Sequence, residues 1–224
     1  MAYTTIDDPS AYFQTKLYTG TQNSHAITLD GNSDLQPDWV WIKCRDDSHN
    51  HQVFDSVRGV HKRMRTDTTG AETTSDQSLK SFDSDGFTLG TEQNVNASAS
   101  NDNSFVAWNW KETATAGFDI VSYTGTGSSN AVSHSLSATP SMIIIKNRDD
   151  ADSWYVWHQG LGAVASNYIN LDTSGPKSSV SDGITAISSS NFTVNTRGDV
   201  NASSEKYIAY CFADVKGYSK FGEF

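Results

Sequence analysis

The residues best suited to chemistry in this chain are acidic and come in pairs: Asp46 with Asp47, Asp83 with Asp85, and Asp149 with Asp150. Two carboxyls about 5–10 Å apart across a scissile bond are what a glycosidase needs. Carboxylates in turns between strands, however, are cheap and well solvated, and that is the reading expected of all three pairs. Asp83-Ser84-Asp85-Gly86 alternates as a hard-cation loop does, without the ligand series and distal Glu of an EF-hand. A structural Ca²⁺ at Asp83 and Asp85 is therefore the only metal to look for, and no other cofactor is expected. His49 and His51 would share one strand face, yet no Cys or further His sits at metal-ligand spacing. Trp154, Trp157 and His158 could line a carbohydrate-stacking groove, although aromatics in strands more often pack a core. No Gly-x-Ser-x-Gly elbow, Walker A loop or dinucleotide fingerprint occurs, and no enzymatic activity is expected.

The elements that carry these residues are written twice. Pro37-Asp38-Trp39-Val40-Trp41-Ile42-Lys43 returns as Pro140-Ser141-Met142-Ile143-Ile144-Ile145-Lys146, and each is followed after one residue by Arg-Asp-Asp. Upstream, Leu17-Tyr18-Thr19-Gly20-Thr21 matches Ser122-Tyr123-Thr124-Gly125-Thr126. Downstream, residues 104–110 match residues 206–212. The offsets stay between 102 and 105 while the order is kept, as a tandem duplication with loop insertions would give. About a hundred residues is a common domain size. The expected organisation is a docking arm over residues 1–10, centred on Asp7, Asp8 and Pro9, then one repeat at 11–113 and a second at 114–224. Residues 217–224 resemble the opening of the second copy, and so either begin a third or close the second.

Composition points to strands. Hydrophobic content is 36% against 11% aromatics with six Trp, and Ser, Thr, Asn, Asp and Gly stand where helix formers would. No apolar i, i+3, i+4, i+7 run exceeds two turns. Strands are expected at 12–18, 25–29, 38–44, 51–57, 62–66, 86–89 and 105–110, and again at 118–123, 131–136, 142–146, 154–158, 168–170, 192–195 and 207–212. The stretches 38–44 and 105–110 are apolar at successive positions, which predicts burial on both faces. Residues 94–103 and 173–190 read as loops. The expected fold is all-β: two tandem homologous β-sandwich domains of jelly-roll or lectin-like topology.

A net charge of −10 argues against nucleic acid and anionic lipid as partners. Cys44 and Cys211 fall at different repeat positions, so free thiols from a reducing compartment are expected rather than a disulfide. Met1 to Thr5 has neither the basic start nor the apolar run of a signal peptide, and no stretch approaches membrane-helix length.

The matched segments carry a likeness. Asp8-Pro9-Ser10-Ala11-Tyr12-Phe13-Gln14-Thr15, Phe54-Asp55-Ser56-Val57-Arg58-Gly59, Phe82-Asp83-Ser84-Asp85-Gly86-Phe87-Thr88-Leu89-Gly90 and Val106-Ala107-Trp108-Asn109-Trp110-Lys111 resemble a repeat module of tailed-bacteriophage virion proteins, particularly marine ones. The resemblance covers almost the whole chain. It implies a concanavalin A-like lectin sandwich in a tail fibre or other exterior virion protein, with no catalytic set. The implied life history is synthesis in the host cytoplasm, release by lysis and residence in the virion. The implied partners are other virion proteins, copies of itself (a trimer by the usual symmetry of appendages) and a host surface glycan; a capsid decoration protein and a glycan-binding or glycan-degrading module are the rival readings.

Overall fold

The computed structural model describes residues 4–98 and 103–222 and is all-β, with antiparallel pairing throughout its sheets. It divides into two compact units. The N-terminal unit comprises Asp8–Asp67 with Glu72–Glu112; the C-terminal unit comprises Thr113–Phe224 together with Met1–Asp7 and Thr68–Ala71.

The N-terminal unit holds β1 (Phe13–Thr19), β2 (His25–Thr28), β3 (Trp39–Cys44), β4 (Gln52–Asp55), β5 (Lys62–Arg63), β6 (Thr73–Thr74), β7 (Leu79–Asp83), β8 (Gly86–Leu89), the short helix α1 (Gln93–Asn96) and β9 (Ser104–Trp110). Its main sheet runs β1-β9-β3-β4 and a second runs β2-β8-β7. Successive side chains on a strand point to opposite faces, so Val40, Ile42 and Cys44 of β3 and Phe105 and Ala107 of β9 turn inward. There they meet Ile27, Leu79, Phe87 and Leu89 from the second sheet in one buried cluster. Two sheets closed over one apolar layer make the unit sandwich-like.

The C-terminal unit holds β10 (Phe118–Thr124), β11 (Asn130–Ser133), β12 (Met142–Asn147), β13 (Tyr155–His158), β14 (Asn167–Asn170), β15 (Ser178–Ser179), β16 (Ile184–Ile187), β17 (Asn191–Val194), α2 (Gly198–Asn201) and β18 (Lys206–Phe212). Its sheets run β10-β18-β12-β13-β14-β15 and β11-β17-β16. Ile143, Ile145, Tyr155, Trp157, Tyr207 and Cys211 face Ile184, Phe192 and Val194 across the core.

The ladders of the two units keep the same register. Phe13 stands opposite Trp110 and Thr19 opposite Ser104, as Phe118 stands opposite Phe212 and Thr124 opposite Lys206. Trp39 pairs with Trp110 as Met142 pairs with Phe212. In each core a Tyr stacks on the aromatic of the last strand, Tyr18 on Phe105 at 5.2 Å and Tyr123 on Tyr207 at 5.1 Å.

Three expectations need correction. The stretch 38–44 is not buried on both faces, since Trp41 and Lys43 point away from the core and are half-buried. The stretch 173–190 is not one loop: Ile184–Ile187 forms a strand on β17, its two isoleucines supplying the apolar positions amid serines. Residues 93–96 and 198–201 each close a single helical turn.

Candidate functional site

The paired acids are spent on turns. Lys43 Nζ donates to the carbonyls of Cys44 (2.7 Å) and Asp47 (3.0 Å), and Lys146 Nζ donates likewise to Asn147 (2.7 Å) and Asp150 (3.1 Å). Asp46 accepts from the Ser104 amide and hydroxyl, and Asp149 accepts from the Lys206 amide at 2.9 Å. The Ser104 contacts hold the Asp46 carboxyl below its usual range. The repeated Lys-x-Arg-Asp-Asp string is thus a device that folds a tight turn and ties it to the strand beside it.

Asp83 accepts from the hydroxyls of Ser81 (2.6 Å) and Thr88 (2.7 Å) across the β7–β8 hairpin, and Asp85 accepts from the Leu35 amide at 3.2 Å. Asp83 thus serves its own hairpin, and Asp85 ties the hairpin turn to the segment before β3. Among the described residues no group of three or more His, Cys, Asp and Glu is placed to hold a metal ion.

Trp154 and Trp157 are 0% and 5% exposed, so neither ring offers a face to a sugar. Trp157 packs in the core and Trp154 stacks on Tyr210 at 6.5 Å. His158 is half-buried and caps the turn after β13, its Nδ1 accepting from the Gly160 amide at 3.0 Å. The carbohydrate groove expected at these three residues is not formed.

The segment expected to form a docking arm, residues 1–10, is bonded into the N-terminal unit from Asp8 onward. Asp8 caps a 3-10 turn over Pro9–Ala11, accepting from the Ser10 amide (2.9 Å), the Ser10 hydroxyl (2.7 Å) and the Ser33 hydroxyl (2.7 Å). These bonds, Ser33 foremost, lower its pKa and bind Asp8 and Pro9 into the N-terminal unit. Ile6 is buried and Asp7 is exposed.

What the structure brings together instead is a set of aromatics on the outer face of the N-terminal sheet, with Phe13, Trp41, Trp108 and Trp110 half-buried and Trp39 buried. Cross-strand pairing lines up Thr15, Trp108, Trp41 and Val53 in one row and Phe13, Trp110, Trp39 and Asp55 in the next. Trp41 and Trp108 meet nearly at right angles, with ring centroids 6.2 Å apart and planes at 74°. The Trp41 indole N–H donates to Nδ1 of His51 at 2.9 Å, which fixes the indole and leaves the ring proton of neutral His51 on Nε2. Burial lowers the His51 pKa, so the neutral form prevails at pH 7; Asp67 acts in the opposite direction and Lys43 in the same one. Indole rings of this size at a partly wet surface are the usual anchors of recognition sites. In Trp39-Val40-Trp41-Ile42-Lys43 only Lys43 breaks the apolar run, so little in the sequence signals that one face of β3 stays outside the core.

The amides went unnoticed in the sequence. Asn96 is fully buried, accepts from the Thr21 amide (2.8 Å) and donates to the carbonyls of Asn23 and Gly90, both at 2.7 Å. Asn201 does the same with Thr126 (2.9 Å), Ser128 (2.5 Å) and Asn195 (2.6 Å). Their separation equals that of Tyr18 and Tyr123, whose hydroxyls donate to Val95 and Val200, both at 2.7 Å. That shared offset could have found them.

Residues 8–224 match a family described as a domain of unknown function, DUF7483, and the chain belongs to that family. No curated protein and no solved structure matches it.

Proposed function

We propose that this chain is a non-enzymatic structural component on the exterior of a tailed-phage particle, a tail-fibre or appendage subunit made of two duplicated sandwich domains. The observation that carries the reading is the repetition of construction. Both units use one ladder register, one Tyr-to-carbonyl bond, one buried Asn and one Lys-stapled turn. Duplication multiplies a surface or a building block, whereas a catalytic pocket gains nothing from it. The phage-module resemblance supplies the setting, and with it the lectin-like topology, the trimeric assembly and the exposure to host-surface glycans. The paired acids, the groups best suited to hydrolysis, are engaged in holding turns.

The test is localisation on intact particles. Gold-labelled antibody against the chain should decorate the tail tip or its appendages in electron micrographs of the phage that encodes it. Label on capsomers would replace the fibre by a decoration protein, and particles without the chain would overturn the proposal.

A further inference from the structure

We propose that the Trp41–Trp108 face of the N-terminal unit is a binding site for a neutral pyranose chain. The site goes beyond the particle assignment and does not depend on it. It begins with shape. The two rings stand at 74°, so one forms a floor and the other a wall, and the β1-β9-β3-β4 sheet beneath holds both in fixed register. A pyranose presents a flat patch of polarised C–H groups on one side, which suits the electron-rich face of an indole. Its hydroxyls lie around the edge and need hydrogen-bonding partners at the rim.

The rim has them. With Nδ1 engaged by Trp41, the Nε2–H of neutral His51 remains as a donor. Thr15, directly opposite Trp108 in the ladder, is exposed and brings a hydroxyl. Asp67 is exposed and linked to Asn50 at 3.1 Å, which adds a carboxylate acceptor close enough to act on the His51 ring.

Charge decides the class of ligand. Asp67 and Lys43 act on the His51 ring with opposite sign, so both charges stand beside the face. The chain as a whole, at −10, repels polyanions. An uncharged, hydroxyl-rich ligand with an apolar side satisfies each of these conditions, and a neutral hexose or N-acetylhexosamine polymer is that ligand.

The experiment uses the full purified chain. Tryptophan emission is titrated with hexamers of β-1,4-glucose, α-1,4-glucose and β-1,4-N-acetylglucosamine, and binding is surveyed on an array of neutral and acidic glycans. At least one neutral hexamer should shift the emission saturably. Trp108→Ala should weaken that binding tenfold or more. Thr15→Arg, which blocks the face from an exposed position without touching the core, should do the same with an unaltered unfolding temperature. Absence of binding by all three hexamers, native-like binding by Thr15→Arg, or preference for sialylated or uronic acid glycans would overturn the proposal.

Discussion

Asp55 and Arg58 form an ion pair with no exposed side-chain surface: Arg58 Nε donates to one Asp55 oxygen at 2.5 Å while its own amide donates to the other at 2.8 Å. The guanidinium also reaches the Val53 carbonyl at 3.2 Å and Glu72 at 3.3 Å. Removing one member strands the other in a low-dielectric site, which costs about 3–5 kcal/mol. Asp55→Ala should lower the urea midpoint of unfolding accordingly. The double variant Asp55→Leu/Arg58→Met should lose less than Asp55→Ala alone, because no buried guanidinium is then left without its carboxylate, and Glu72, which loses Arg58, still has Lys62 at 4.0 Å.

Asn96→Ala would leave the Thr21 amide and the carbonyls of Asn23 and Gly90 without their side-chain partner, the Gly90 carbonyl in a fully buried place. Each such group costs about 1–3 kcal/mol. A loss of at least ~2 kcal/mol is expected by chemical denaturation, and a comparable one for Asn201→Ala. If Asn201 tolerates alanine without loss, the two amides are not doing equivalent work.

Gly20 and Gly125 lie where a β-carbon would fall 2.0 Å from the carbonyl oxygens of Ala97 and Ala202. The obstacle is backbone and cannot rotate away, so the strand-to-turn junction itself must shift. Gly20→Ala and Gly125→Ala should each be among the most damaging single substitutions, beyond about 3 kcal/mol. Gly198→Ala, with open space around its Cα, serves as the control.

Asp199 is set apart by burial, which raises its pKa from 3.8 to about 6 although Arg197 at 2.7 Å opposes the shift. The folded state then holds a proton that the unfolded state has released. Its contribution to stability is complete below about pH 4 and is lost as pH rises toward 6. Asp199→Asn should abolish that decline, so the stability difference between variant and native protein should move in the variant's favour across pH 4 to 6. A constant difference over this interval would contradict the assignment.

Much of the fold was legible in the sequence because turn chemistry brackets its strands. Asp30-Gly31-Asn32-Ser33 and Asp83-Ser84-Asp85-Gly86 punctuate the chain, and runs such as 105–110 and 207–212 are apolar enough to leave no other option. The strand Ile184–Ile187 was obscured because only its two isoleucines carry an apolar signal in a serine-rich stretch. Helices of four residues complete one turn and show no period. The candidate site was harder to read for a different reason. Trp154 and Trp157 differ from Trp41 and Trp108 in environment, not in type, and which tryptophans reach solvent is decided by sheet order and by what lies over each face. Asn96 resembles any loop asparagine until its three partners, drawn from segments as distant as Thr21, are brought around it.

Cys44 sits in the core of the N-terminal unit and Cys211 in that of the C-terminal unit, both as free buried thiols. Burial pushes the Cys211 thiol well above its ordinary pKa, which further suppresses the reactive thiolate. The molecule consequently carries one silent reporter per unit. A thiol reagent added in mild denaturant can label a cysteine only when its unit opens, and peptide mapping tells the two apart. Unequal labelling rates would rank the two units and, extrapolated to zero denaturant, give the opening free energy of each.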